Sequence, residues 1–107
     1  MEYNQKGEKK TMVPDFMISR DEIIKIIKKE NLLPGSKNII TTLQFYMKQG
    51  VLDRPQRTSF GRDTGVKSYY PKFAITQLRM IKEGKEKSLT LGEIRSEIEK
   101  RRERRKV

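Results

Sequence analysis

The most regular pattern of apolar and polar positions in the chain lies in the stretch SKNIITTLQFYMKQGVL, residues 36–52. At about 100° per residue, one side of a helix over this stretch is entirely apolar, within an arc of roughly 120°. The apolar residues are Ile39, Ile40, Leu43, Tyr46 and Met47. Ser36 suits the N-cap and Gly50 suits the C′ position, so the pattern predicts a helix between them.

The opposite side of the same predicted helix carries hydrogen-bonding groups, two cations and one aromatic ring. These residues are Lys37, Asn38, Thr41, Gln44, Phe45 and Lys48. Such a set suits a nucleic-acid groove, since Gln can bond adenine through two atoms and Thr can meet a base edge or a thymine methyl. We expect Thr41 and Gln44 to contact bases, and Lys37 and Lys48 to hold phosphates.

A second helix with a broader apolar face precedes this stretch. Ser19 and Glu22 form a Ser-x-x-Glu capping box, which predicts the start of the helix DEIIKIIKKE. Its apolar face consists of Ile23, Ile24, Ile26 and Ile27. The turn NLLPG at 31–35 ends this helix and admits the next, and two helices joined by so short a turn match a helix-turn-helix.

After Gly50 the pattern changes to that of a hairpin. Val51 and Leu52 predict the start of a strand, VKSYY at 66–70 predicts a second one, and turn formers lie between them. The cations on this predicted hairpin are Arg54, Arg57, Arg62 and Lys67. A wing beside a DNA groove would use them on phosphates or in the minor groove, which we favour over a solvated loop.

Two further helices are predicted downstream. Pro71 suits the first turn of a helix over 72–83, which Gly84 is expected to break. Thr90 and Glu93 form a second capping box, followed by a narrow apolar stripe. That stripe consists of Leu91, Ile94 and Ile98. The basic end beyond it, EKRRERRKV, either complements the helix dipole or contacts DNA, and both interpretations stay open.

From residue 19 to residue 98 the order of these features resembles the DNA-binding domain of the MerR family. That family has a helix ending in paired aromatics, then Gly, two aliphatics and a wing arginine. The matching residues here are Phe45, Tyr46, Gly50, Val51, Leu52 and Arg57. Gly65 and the run SYYP at 68–71 resemble the second wing strand, and Leu78, Ile81 and the run TLGEI at 90–94 resemble the helices that follow.

The resemblance implies a DNA-binding regulator, but the chain departs from the family pattern in two places. The family pattern would place Arg at Gln44 and Tyr at Phe45, so a target sequence cannot be carried over. Family members usually continue into a long dimer helix and an effector domain, whereas the apolar stripe here stops at Ile98. The chain is therefore expected to be a small stand-alone binder or a fragment of a longer regulator.

Composition limits the classes of function. A chain of 107 residues with 34% apolar content can form one small domain, and a formal net charge of +11 favours an acidic polymer as partner. Because the chain has no Cys and no His, we expect no enzyme activity, no metal and no cofactor. No apolar run suits a membrane helix or a signal peptide, so we expect a cytoplasmic, nucleoid-associated protein.

The predicted fold is mainly α, a winged helix-turn-helix with about four helices and a two-stranded β-hairpin wing. Residues 1–13 are expected to be a flexible arm, 14–98 the DNA-binding domain and 99–107 a basic tail. The expected function is sequence-specific binding of double-stranded DNA by a small transcriptional regulator or DNA-organising protein. No small-molecule effector or membrane partner is expected, and the chain is predicted to be a monomer in solution that can assemble on DNA.

Two alternatives from other classes remain. An RNA-binding or ribosome-associated protein would use the same positive charge, although the aromatics occupy core-like positions instead of forming a stacking platform. A protein-interaction adaptor could retain the fold as a scaffold only, because fold does not fix function.

Overall fold

The computed structural model describes residues 13–59 and 65–105, and the side chains of residues 13–59 and 65–103. Within these residues there are four α-helices and a small antiparallel sheet. In chain order the elements are β1 (Met17–Ser19), α1 (Arg20–Glu30), α2 (Ile39–Lys48), β2 (Gln56–Thr58), β3 (Lys67–Pro71), α3 (Phe73–Glu86) and α4 (Leu91–Arg105). The predicted class, a mainly α winged helix-turn-helix, is confirmed. The predicted arm, except for its last residue, lies outside the described residues.

The sheet has the strand order β1-β3-β2, with β3 in the centre. The predicted hairpin is the β2–β3 pair, in which Arg57 lies opposite Ser68. On its other side β3 pairs with β1, which places Ile18 opposite Tyr70. β1 was not predicted from the sequence, because three residues are too few to show the alternation that marks a strand. This third strand ties the wing to the beginning of α1.

Val51 and Leu52 do not begin a strand, contrary to prediction. Gly50 has a φ of +78° and closes α2, as its assignment to C′ predicted. Its N–H donates to the carbonyl of Met47 (3.2 Å), and the N–H of Val51 donates to the carbonyl of Tyr46 (3.1 Å). This pair of bonds is a Schellman motif, which turns the chain inward, so that Val51 and Leu52 are buried in the core.

The start of α2 also differs from the prediction. Asn38, not Ser36, is the N-cap, and its side-chain oxygen accepts a hydrogen bond from the N–H of Thr41 (3.0 Å). The hydroxyl of Ser36 instead bonds that of Thr42 at 2.7 Å. Both residues are good caps in isolation. The extended backbone of Asn38 selects it, and Ser36 fastens the preceding turn to the helix.

The other predicted caps agree with the structure. Ser19 caps α1 by accepting a hydrogen bond from the N–H of Glu22 (3.2 Å). Thr90 and Glu93 form a reciprocal capping box at α4, with bonds of 2.8 and 3.1 Å. The turn after α1 begins at Asn31, as predicted, and Asn31 adopts the left-handed conformation, with a φ of 52°.

The helix α3 begins after Pro71 and passes through Gly84, which corrects two further predictions. Pro71 is the last residue of β3, opposite Met17. Gly84 does not break the helix, which continues to Glu86. A Cβ on Gly84 would lie 2.5 Å from Cγ1 of Ile94, so a glycine is required here for the close approach of α4. Glycine inside a helix costs only about 1 kcal/mol, which close packing offsets.

One apolar core joins the four helices and β3 among the described residues. Its most deeply buried members include Ile23, Leu43, Val51, Tyr70, Leu78, Ile81, Ile94 and Ile98. The core therefore lies behind α2 and leaves the opposite side of that helix to solvent.

Candidate nucleic-acid interface

The outer face of α2 is exposed along its whole length. All six side chains predicted for it are exposed: Lys37, Asn38, Thr41, Gln44, Phe45 and Lys48. On the opposite side Leu43 and Tyr46 are buried, which fixes the rotation of the helix about its axis. The predicted face is thus present as a surface.

Two members of this face have intramolecular contacts that limit what they can do. Asn38 uses its side-chain oxygen to cap the helix at the N–H of Thr41, so only the rest of its amide can reach outward. Phe45 is 47% exposed, and its ring centroid lies 5.6 Å from that of Tyr46. A large apolar ring held at the surface in this way suits contact with a partner better than it suits water.

The wing carries its cations on different faces. Arg54, Arg57 and Lys67 are exposed, whereas Arg62 lies outside the described residues. Arg57 is opposite Ser68, and Lys67 is opposite Thr58. Since side chains alternate along a strand, Arg57 and Lys67 point to opposite sides of the β2–β3 ladder. Arg54 lies two positions before β2, outside both wing strands.

A polar cluster at the base of the wing was not predicted. The N–H of Asp53 donates to Oε1 of Gln77 (2.9 Å), and Nε2 of Gln77 donates to Oδ1 of Asp53 (3.2 Å). Gln77 is only 1% exposed. Arg102 donates from both terminal nitrogens to the carboxylate of Asp53, at 2.7 and 3.3 Å. The cluster therefore joins the linker to both α3 and α4.

The guanidinium of Arg102 is held from two directions. Its Cζ lies 5.0 Å from the centroid of the Phe73 ring, a cation–π arrangement. The hydrogen bond to Asp53 raises the pKa of Arg102 above its usual value, with the charge of Asp53 adding to it. Arg102 had been assigned to a basic tail, but residues 99–105 form the last turns of α4.

A signal for Arg102 was present in the sequence. Arg102 follows the buried Ile98 by four positions, which puts the two side chains on the same face of a helix. Only apolar residues were counted in tracing the stripe, so the predicted stripe ended at Ile98. An arginine can extend such a stripe, because its long stem and flat head pack on apolar surface.

A family model described as MerR HTH family regulatory protein matches residues 40–100. The match covers more than half of the chain and includes most of α2, the wing, α3 and much of α4. The chain belongs to the MerR family. The resemblance noted from residues 19–98 is confirmed by this match, and with it the assignment to a family of non-enzymatic, DNA-binding transcription regulators. No curated protein and no solved structure matches the chain.

One of the two departures from the family pattern that the sequence predicts lies on the outer face of α2. Gln44 and Phe45, which stand where the resemblance predicts Arg and Tyr, are both exposed. None of the helices in the described parts of the chain has the length and apolar content that a bilayer span needs.

Proposed function

We propose that this MerR-family protein binds double-stranded DNA sequence-specifically, with α2 in the major groove and the wing on the flanking backbone. The observation that carries the proposal is the exposed outer face of α2, which is polar and cationic while the reverse face is buried. Thr41 and Gln44 contact base edges, and Lys37 and Lys48 hold phosphates on either side. The role is that of a small transcriptional regulator in the cytoplasm, located at the nucleoid.

The wing is expected to hold the protein in place on the DNA backbone more than to read the base sequence. Arg54 and either Arg57 or Lys67 contact the backbone beside the groove, since the last two lie on opposite faces of the ladder. With Arg62 and the two α2 lysines this gives roughly four to five phosphate contacts, and each lowers log K by about 0.9 per tenfold rise in salt. The expected salt slope is about −4, and a slope near zero would contradict DNA binding.

The decisive experiment is selection of bound sequences from a random DNA duplex pool with this chain alone. An enriched motif supports sequence-specific binding, and recovery of random sequence contradicts it. Competition with structured RNA then tests the main alternative. RNA that displaces the selected duplex at equal concentration would favour an RNA-binding protein.

Substitutions on the selected duplex assign the contacts. Gln44→Ala is expected to weaken binding to the preferred sequence by about 1–3 kcal/mol and to change binding to random DNA little. Gln49→Ala is a matched control, since Gln49 is also exposed but follows the last residue of α2. If Arg57 is the wing cation that holds the backbone, Arg57→Ala is expected to weaken both sequences equally and to reduce the salt slope by about one unit. If Gln44→Ala weakens all sequences alike, base reading belongs to Thr41 or Asn38.

Free of DNA, we propose that the chain is a monomer. The outward side of α4 is charged, and a net charge of +11 opposes association. Sedimentation at micromolar concentration should give the mass of one chain. A stable dimer would point to an interface elsewhere.

A further inference from the structure

The linker of residues 50–53 connects the recognition helix α2 to the first wing strand, and α4 lies against both of its ends. At one end, a Cβ on Gly50 would lie 3.3 Å from Cζ of Arg95. At the other end, Asp53 receives the two hydrogen bonds from Arg102. Between them Val51 and Leu52 are buried in the core. The whole linker is therefore held from the inside by apolar contacts and from the outside by α4.

The spacing along α4 explains how one helix reaches both ends. Arg95, Ile98 and Arg102 are separated by three and four positions, so they share one face of the helix. Ile98 is fully buried and seats this face on the core. The two arginines extend from it on either side, toward the beginning and the end of the linker.

The contact at Asp53 constrains direction as well as distance. A guanidinium that donates two bonds to one carboxylate fixes the plane of both groups, which a lysine at the same place would not do. Gln77 also forms hydrogen bonds with both the main chain and the side chain of Asp53. The ring of Phe73 contacts the guanidinium in a cation–π arrangement. Asp53 is followed directly by the exposed Arg54 and then by β2, so its orientation determines where the wing leaves the domain.

We infer that Arg102 is a positioning residue, which through Asp53 sets the angle of the wing relative to α2 and so makes the wing's DNA contacts effective. The inference rests on the proposed function for its consequence at DNA. Arg102 itself does not contact DNA in this arrangement, because its guanidinium is occupied by Asp53 and Phe73. From the sequence, Arg102 was placed in a basic tail that either complements the helix dipole or contacts DNA. The role as a positioning residue replaces both interpretations.

A residue that only stabilised the fold would act differently. Its removal would lower the fraction of folded protein, and the cost of losing each DNA contact, measured on folded protein, would stay the same. A positioning residue couples to the wing contacts and not to the helix contacts. A double-mutant cycle measures that coupling directly.

The test measures affinity for the selected duplex in the native chain, in Arg102→Ala and in two comparison backgrounds, Arg79→Ala and Arg102→Lys. Arg57→Ala and Gln44→Ala are each made in the native chain and in Arg102→Ala. The loss of affinity caused by Arg57→Ala should be smaller in Arg102→Ala by a factor of about three, because a misplaced wing already makes weaker contacts with DNA. The loss caused by Gln44→Ala should be the same in both. If Lys67 is the wing cation on the DNA side, Lys67→Ala replaces Arg57→Ala in the same cycle.

Arg79→Ala is the matched control. Arg79 also donates two hydrogen bonds to one carboxylate, that of Glu30, but it joins α3 to the end of α1 and does not contact the linker. In this background both losses should equal those in the native chain. Arg102→Lys keeps the charge without the two-pronged geometry and should behave like Arg102→Ala. Full recovery by lysine would show that charge alone suffices.

A measurement on the free protein makes the inference testable without DNA. In Arg102→Ala the backbone amides of residues 56–58 should exchange with solvent about tenfold faster, while those of α1 exchange at the native rate. Circular dichroism checks that the variant is folded. Unchanged exchange in β2 would overturn the inference whatever the DNA result. An equal cost of wing substitution in both backgrounds would overturn it too, yet leave the proposed function intact. Absence of DNA binding in the native chain would instead remove the proposed function.

Discussion

Two arginine–carboxylate pairs fasten the C-terminal helices to the rest of the molecule, and their shortest distances are nearly the same. Arg79 on α3 reaches Glu30 at the end of α1 with a shortest distance of 2.6 Å. Arg102 on α4 reaches Asp53 in the linker at 2.7 Å. Both arginines donate two hydrogen bonds. By the shortest distance alone the two pairs would be judged equal.

Their surroundings differ. The Arg79 and Glu30 side chains are 54% and 36% exposed, so water screens the pair. The Arg102 and Asp53 side chains are 33% and 26% exposed, and the carboxylate also bonds the fully buried Gln77. The comparison shows that the stability lost on removing an ion pair depends on the other groups that the pair contacts. Removing the first pair leaves water to replace it, whereas removing the second leaves a buried amide without an acceptor.

The largest effect is expected for Asp53→Ala. The variant should lose about 2–3 kcal/mol of the free energy of unfolding, because Nε2 of Gln77 loses its acceptor and Arg102 loses its partner. Denaturant unfolding measures the loss. Asp53→Asn keeps an oxygen for Gln77 and should lose only about 1 kcal/mol. Equal losses in the two variants would mean that Gln77 is not the reason.

A smaller effect is expected where α4 meets α3. Replacing a glycine inside a helix by alanine usually stabilises by about 1 kcal/mol. Gly84→Ala should instead destabilise by about 1–2 kcal/mol, since its Cβ would lie 2.5 Å from Cγ1 of Ile94. Gly92→Ala is the control, because a Cβ there would meet only Oγ1 of Thr90, at 3.8 Å. Stabilisation by Gly84→Ala would show that α4 is held by the Arg102 pair and not by its seat on α3.

The two arginines can be compared directly by replacing each with methionine, which keeps the apolar stem and removes the charge. Arg102→Met should lower the free energy of unfolding by about 1 kcal/mol, because a partly buried carboxylate loses its charged partner. Arg79→Met should change the thermal melt only slightly, because water screens the exposed Arg79–Glu30 pair. Losses of the same size would remove the distinction between the two pairs.

The smallest effect concerns acid. The hydrogen bond from Arg79 lowers the pKa of Glu30 below its ordinary value of 4.5. The pair therefore contributes stability above pH 4.5, and the contribution is lost as the pH falls through the lowered pKa of the folded state. Thermal melts of the native chain and of Glu30→Gln should differ slightly at neutral pH and converge in acid. A difference that grows in acid would contradict this sign.

The exposed face of α2 could be predicted because it depends on residues close together in sequence. A period of 3.6 residues assigns each side chain to one face of the helix, and the apolar set then fixes which face is buried. The exposure of Gln44 and Phe45 could be predicted in the same way, whereas their departure from the family pattern came from the resemblance. What the pattern could not give was the register of the wing, which places Arg57 and Lys67 on opposite faces and depends on pairing between two strands.

The sequence by itself determined the helices, most of their caps and the positive charge, because these depend on residues within about four positions of one another or on composition alone. Tertiary structure decided the rest. It turned Val51 and Leu52 from a predicted strand into a buried linker, because the packed helices together form the apolar core that buries both residues. It also paired Asp53 with Arg102 across 49 positions of the chain. No local pattern marks such a partner, since the contact exists only once α4 has packed on the core.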